Sequence, residues 1–167
     1  PWFAITQLYL FMKLGFKSFR KLAGYFWQRV ANLPMSGTWR WRFLRLSGIK
    51  FNVPKDGKHF VYIGNGVTWD SAYPEEIEIG NYVHVTTGCV LLTHHLDTSR
   101  KGIYWKKGHI KIEDGVFLGA HTVISKSVTI GKGSIVGAGS VVTKNIPSYE
   151  IWGGVPAKFI KKIENND

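Results

Sequence analysis

Residues 112–142 read IEDGVFLGAHTVISKSVTIGKGSIVGAGSVV, and within them Ile112, Leu118, Ile124, Ile130, Val136 and Val142 fall six residues apart. The same spacing joins Ile79, Val85 and Leu91 upstream. Four residues after these aliphatics stands a small or β-branched residue: Val83 and Cys89 in the first block, then Val116, Thr122, Val128, Ser134 and Ser140. A half-solvated sheet repeats every two residues and gives no reason for a period of six. Gly80, Gly119, Gly131 and Gly137 directly follow an aliphatic, and glycine tolerates the tight backbone of a corner. The pattern predicts short strands alternating with corners. Three hexapeptides per turn make a coil of about 18 residues, and coils stack at about 4.8 Å, the spacing of paired strands. The expected fold is mainly β, a parallel β-helix.

The period breaks between Leu91 and Ile112, a gap of 21 residues, which is one hexapeptide plus an excursion of 15. A loop protruding at about 95–109 is therefore predicted, and a loop beside a regular scaffold is a natural seat of function. It opens on His94-His95-Leu96-Asp97 and carries Tyr104, Trp105 and His109. Imidazole titrates near physiological pH, so either leading histidine can act as a base. Asp97 and Asp70 are the competing partners for its second nitrogen. Tyr104 and Trp105 either stack on a sugar ring or pin the loop to a neighbour. Cys89 occupies an inward position, where a thiol behaves as a small inert hydrophobe.

Charge divides the chain. Its 167 residues hold 22 Lys and Arg against 11 Asp and Glu, a formal net charge of +11. Residues 1–50 carry nine of the basic side chains and no acid. Leu8, Met12, Phe19, Leu22, Phe26 and Val30 recur there at helical spacing, with Lys13, Lys17, Arg20 and Lys21 on another face. The helix is predicted to end near Pro34, and a second to run from Trp39 to Leu46, mixing Arg40, Arg42 and Arg45 with aromatics. Basic aromatic helices suit an anionic membrane surface. Nucleic acid is the rival partner, and packing against the protein itself or a neighbouring subunit is the plain alternative. The apolar run from Pro1 stops at Lys13, short of a membrane span, and Pro1 is not expected to be the natural start. A single cysteine excludes an internal disulfide and fits a reducing, cytoplasmic setting, peripheral to the inner membrane face if the basic segment docks there. The expected organisation is a basic helical segment over 1–50, the β-helix over 51–146 and a closing segment over 147–167.

Ile77 to Ile146 resembles the left-handed β-helix of the hexapeptide-repeat acyltransferases, and Gly153-Gly154-Val155-Pro156-Ala157-Lys158 resembles the segment that closes that domain. With His94-His95-Leu96-Asp97 and Val142-Thr143-Lys144, these motifs resemble the sugar O-acetyltransferase branch over roughly residues 60–163. The handedness follows from the resemblance alone, since parallel crossovers are ordinarily right-handed. The resemblance implies an enzyme that moves acetyl from acetyl-CoA to a sugar hydroxyl, in surface polysaccharide or glycolipid biosynthesis, without a metal. It also implies a homotrimer with active sites between subunits. It makes His94 the general base, with His95 in competition, and puts Asp70 near the acceptor. Ala120 and Ala138 then meet the pantetheine arm, and Thr143, Lys144 and Lys158 the nucleotide end, with Lys161 adding a phosphate contact. Lys158 stands where many relatives carry Arg and Phe117 where many carry Trp, while His84 and His121 are second-rank candidates. Two other readings compete: a zinc enzyme like the γ-class carbonic anhydrases, and a scaffold that keeps the fold without the chemistry.

Overall fold

Each inward aliphatic lies in a strand that pairs in parallel with a strand of a neighbouring coil. The computed structural model describes residues 21–54 and 59–164, and its strands form three parallel faces. One face stacks Lys50–Phe51, Ile77–Ile79, Ile110–Ile112 and Val128–Ile130. The second stacks Val61–Ile63, Val83–Val85, Phe117–Leu118, Ile135–Val136 and Glu150–Gly153, and the third Thr68–Trp69, Val90–Leu91, Val123–Ile124 and Val141–Val142. Ile110 pairs with Val128, Phe117 with Ile135 and Val123 with Val141, each 18 residues on. Ile77 pairs with Ile110, His84 with Phe117 and Val90 with Val123, each 33 residues on, which is one coil plus the 15-residue excursion.

All nine aliphatics of the six-residue register are buried, as are Val83, Cys89, Val116, Thr122, Val128, Ser134 and Ser140 at the second inward position. Full burial of each large aliphatic contributes about 1.5–3 kcal/mol. The inward hydroxyls are satisfied locally: Thr122 Oγ1 donates to Gly119 O at 2.7 Å, Ser140 Oγ to Gly137 O at 2.6 Å and Ser134 Oγ to Pro147 O at 2.6 Å. The first coil, residues 50–69, escaped the six-residue period because Val61 and Thr68 pair with Val83 and Val90 at an offset of 22, four more than a regular coil.

The glycines that follow the aliphatics serve another purpose than the one the sequence suggested. The left-handed corner residue comes three positions after the aliphatic, at Tyr82, Gly88, Gly115, His121, Gly133 and Gly139. Gly119 instead lies where the next coil presses closest: a Cβ there would stand within 2.8 Å of the Ala138 and Gly137 backbone.

Both ends of the prism are covered. Lys158–Lys162 folds back antiparallel on Glu150–Gly153 at the C-terminal end. At the other end lie helix α1, over residues 21–31, and helix α2, Gly37–Leu46. Leu44 is fully buried, Trp41 and Phe43 pack against the core, and Trp27 stacks on Phe43 at 6.0 Å between ring centres. Arg40, expected on a basic surface with Arg42 and Arg45, is buried instead. Its guanidinium donates to Ile63 O at 2.9 Å, to Leu33 O and to Asn65 Oδ1, tying down acceptors beside the first coil. The helical stripe at Leu8, Met12 and Phe19 lies outside the described residues.

Coil contact at Gly119 predicts that Gly119→Ala lowers the unfolding free energy by about 1–3 kcal/mol, because the added methyl must push two backbones apart. Urea denaturation measures this, and an unchanged midpoint would show that the coils separate freely.

Candidate active site

The register that pairs Trp69 with Leu91 also decides which carboxylate reaches the histidines. Asp70 continues the third face in the first coil, and Thr93 and His94 leave that face one coil later. Asp70 Oδ2 lies 2.6 Å from His94 Nδ1 and accepts from Thr93 N at 2.8 Å and Thr93 Oγ1 at 2.7 Å. Oδ1 accepts from Ala72 N at 2.7 Å and Tyr73 N at 3.3 Å. The Asp70 side chain is wholly buried, while that of His94 keeps 30% of its surface exposed.

Burial pushes the Asp70 carboxyl up, but hydrogen bonds from the Thr93 hydroxyl, from His94 and from the Ala72 and Thr93 backbone outweigh it and hold the group below the usual carboxylate range. An ionised carboxylate only accepts, so in neutral imidazole the proton sits on His94 Nδ1. Nε2 is then left with a free lone pair, the arrangement a general base requires.

This geometry corrects one expectation and chooses between two alternatives. Asp70, expected at the acceptor, has both oxygens engaged and no exposed side-chain surface, so it lies beneath the imidazole and not against a substrate. Asp97 is occupied elsewhere: its oxygens accept from Ser99 N, Ser99 Oγ and Arg100 Nε within the turn. Thr93, which places two donors on Asp70, was missed. Its only signal in the sequence is its position directly before the histidine pair.

The predicted protruding loop is a β-hairpin, His94–Leu96 against Trp105–Lys107, with His94 opposite Lys107. Paired residues project to one side, so Leu96, Trp105 and Lys107 share the face of His94 and His95 falls on the other with Lys106. Trp105 stands edge-on to His94 at 5.3 Å, and Tyr73 does so at 6.4 Å from the opposite chain segment. Tyr104 instead lies under the Arg100 guanidinium, 4.7 Å from its ring centre. Glu76 fastens the returning strand, accepting from Lys107 Nζ at 2.7 Å and lying 3.2 Å from His109 Nδ1. The hydrogen bond from Lys107 is the main cause holding the Glu76 carboxyl low.

The residues expected at coenzyme A form a second group. Ala120 and Ala138 are neighbours on stacked corners, joined where Gly139 N donates to Ala120 O at 2.8 Å. The closing segment lies beside them, with Val141 N donating to Gly154 O and Ala157 N to Val141 O. Thr143 is half-buried and Lys144, Lys158 and Lys161 are exposed. No described hydrogen bond or ring contact joins this group to His94. Phe117 and His84 lie on another face, in an outward column with Tyr62. His121 is an exposed left-handed corner. Cys89 is buried, its Sγ 3.3 Å from Gly119 O, and burial pushes its thiol up, away from the thiolate. Among the described residues no three His, Cys, Asp or Glu side chains gather as a metal site would require.

The depressed Asp70 carboxyl has a pH signature. Its contribution to stability is complete above the unfolded value near pH 4 and is lost as pH falls below it through the folded value. Asp70→Asn is therefore expected to destabilise by about 2 kcal/mol at pH 7 and progressively less below about pH 4. Unfolding curves from pH 7 to 3 measure the gap, and a constant gap would contradict the assignment.

The chain resembles known proteins over different parts of its length. Residues 109–144 match the family described as bacterial transferase hexapeptide (six repeats). A Staphylococcus aureus protein provisionally named an acetyltransferase is 32% identical over 123 residues, 60% of this chain and 62% of that one, so the chain spans less than two thirds of this relative. The galactoside O-acetyltransferase of Escherichia coli is 47% identical over 58 residues, 35% of this chain and 29% of its own. Among solved structures, a hexapeptide-repeat acetyltransferase of Vibrio cholerae complexed with acetyl coenzyme A superposes with a TM-score of 0.67 over 89% of each chain, at 23% identity, a likeness of fold.

Proposed function

We propose that the protein, whose residues 109–144 match the bacterial transferase hexapeptide family, is an acetyl-CoA-dependent O-acetyltransferase acting on a sugar hydroxyl. The observation that carries the reading is the pairing of the wholly buried Asp70 with the part-exposed His94. Kinship with a galactoside O-acetyltransferase supports a sugar acceptor, and the surroundings of His94 suit one. Trp105 and Tyr73 place aromatic rings next to a part-exposed imidazole.

In this mechanism His94 Nε2 takes the proton of the acceptor hydroxyl as its oxygen attacks the thioester carbonyl carbon. The C–S bond then breaks, and the imidazolium returns the proton to the departing thiolate, giving an acetyl ester and free coenzyme A. Asp70 stabilises the imidazolium in between without itself taking the proton. No covalent acyl-enzyme is formed, and Cys89 takes no part.

Ala120 and Ala138 line the pantetheine arm, and Thr143, Lys144 and Lys158 hold the nucleotide phosphates, with Lys161 in reach of them. Because Lys158 is a point charge and not a planar fork, it neutralises phosphate with less directional demand than arginine. The proposed assembly is a trimer of left-handed prisms, in which a neighbouring subunit closes the groove between the His94 group and the Ala120–Ala138 corners.

A coupled assay of thiol release with galactosides and related sugars tests the reading. His94→Ala is expected to lower turnover by about 10²–10⁴-fold, the range of general-base catalysis, while His95→Ala stays within a few-fold. Equal loss in both variants, or none in His94→Ala, would falsify the assignment. Saturation with acetyl-CoA at about 100 times its dissociation constant is expected to add about 2.7 kcal/mol of stability, lost in Lys144→Glu. An unshifted melting midpoint in the folded wild type would remove acetyl-CoA as the donor.

A further inference from the structure

Helix α1 has two apolar faces, and among the described residues only one of them is covered. Gly24, Trp27, Gln28 and Ala31 face the protein, whereas Leu22, Tyr25 and Phe26 are exposed on the opposite side, and Arg29 continues their stripe by one turn. A helix on the surface of a globular protein needs a single apolar stripe. On α2 the exposed face continues with Trp39, Arg42 and Leu46, and the Arg42 guanidinium lies 4.1 Å from the Trp39 ring centre. Basic side chains accompany this apolar surface throughout: Lys21, Arg29, Arg42 and Arg45 are exposed, and residues 1–50 contain no acid.

The uncovered stripe also adjoins the catalytic pair. Tyr25 Oη accepts from Ser71 Oγ at 3.0 Å, and Gln28 Nε2 donates to the backbone carbonyl of Asp70 at 3.3 Å. The helix that carries the stripe thus rests on the residue that holds His94.

We propose that α1 and the outward face of α2 dock on an anionic lipid bilayer, and that the acceptor reaches His94 from that surface, as the headgroup of a membrane-borne glycolipid. Charge complementarity selects the occupant. A second copy of this chain would bring the exposed Lys21, Arg29, Arg42 and Arg45 against their own counterparts with no acid anywhere in residues 1–50, whereas anionic headgroups neutralise them and admit aromatic rings at their depth. No described helix is long and apolar enough to cross a membrane. The delivery of the acceptor, though not the docking, rests on the acetyltransferase reading.

Flotation of the full chain with equimolar phosphatidylglycerol and phosphatidylcholine vesicles, against pure phosphatidylcholine, tests the docking. Binding to the anionic vesicles alone is expected, weakened about fivefold in Arg42→Gln and more in Phe26→Glu, with melting midpoint and particle mass unchanged. Absence of binding to anionic vesicles overturns the proposal. So does a Phe26→Glu variant that separates into smaller particles yet still floats, which would assign the stripe to another subunit, and so does retention on RNA without retention on vesicles. Turnover of a free sugar is read alongside and is expected to be equal in wild type and both variants. Its absence in the wild type overturns the acetyltransferase reading and leaves the vesicle result to decide the docking by itself.

Discussion

Parallel strands stacked in fixed register from coil to coil set everything else in this molecule. Along each face strands bond to strands one coil away, and the inward aliphatics stack in columns. A shift of one residue would turn the whole inward set to solvent. That rigidity explains how an excursion of 15 residues is tolerated between two coils: Ile77–Ile79 and Ile110–Ile112 still pair residue for residue across it. The hairpin can therefore diverge in sequence and shape while its two feet stay fixed.

The same register makes the Asp70–His94 pair possible. A buried carboxylate is costly unless every lone pair finds a donor, and Asp70 receives donors from Ala72, Tyr73, Thr93 and His94. Three of these four residues project from short irregular links at the ends of strands, where the chain is free to turn its donors inward. The site is built where regular pairing stops. Glu76 does the corresponding work for the returning strand of the hairpin, through Lys107 and His109. Helix α1, resting on the Asp70 carbonyl, couples the N-terminal segment to the site.

Much of this was legible in the residues alone, because burial in a solenoid is periodic. Ile112 to Val142 disclosed the inward column, and the break after Leu91 disclosed the excursion. The coil at residues 50–69 stayed hidden because four extra residues put Val61 and Thr68 out of step. The choice between Asp70 and Asp97 was equally closed to sequence reasoning: Asp97 is nearer to His94 along the chain, and only inter-coil stacking brings Asp70 closer in space. Arg40 looked like its neighbours Arg42 and Arg45, and its burial depends on where α2 crosses the first coil. Of the glycines after the aliphatics, Gly80, Gly119 and Gly131 are special positions for close approach of coils and not for a left-handed backbone, whereas Gly137 has room for a Cβ.

The account depends most on Asp70 fixing the proton of His94 on Nδ1. Nitrogen-15 NMR of histidine-labelled protein, at a pH where the imidazole is neutral, reads this tautomer directly. A protonated Nδ1 and an unprotonated Nε2 are expected for His94, reverting toward a mixture in Asp70→Asn. A proton on Nε2 in the wild type would contradict it, because the nitrogen facing the substrate would then have no lone pair with which to accept the hydroxyl proton.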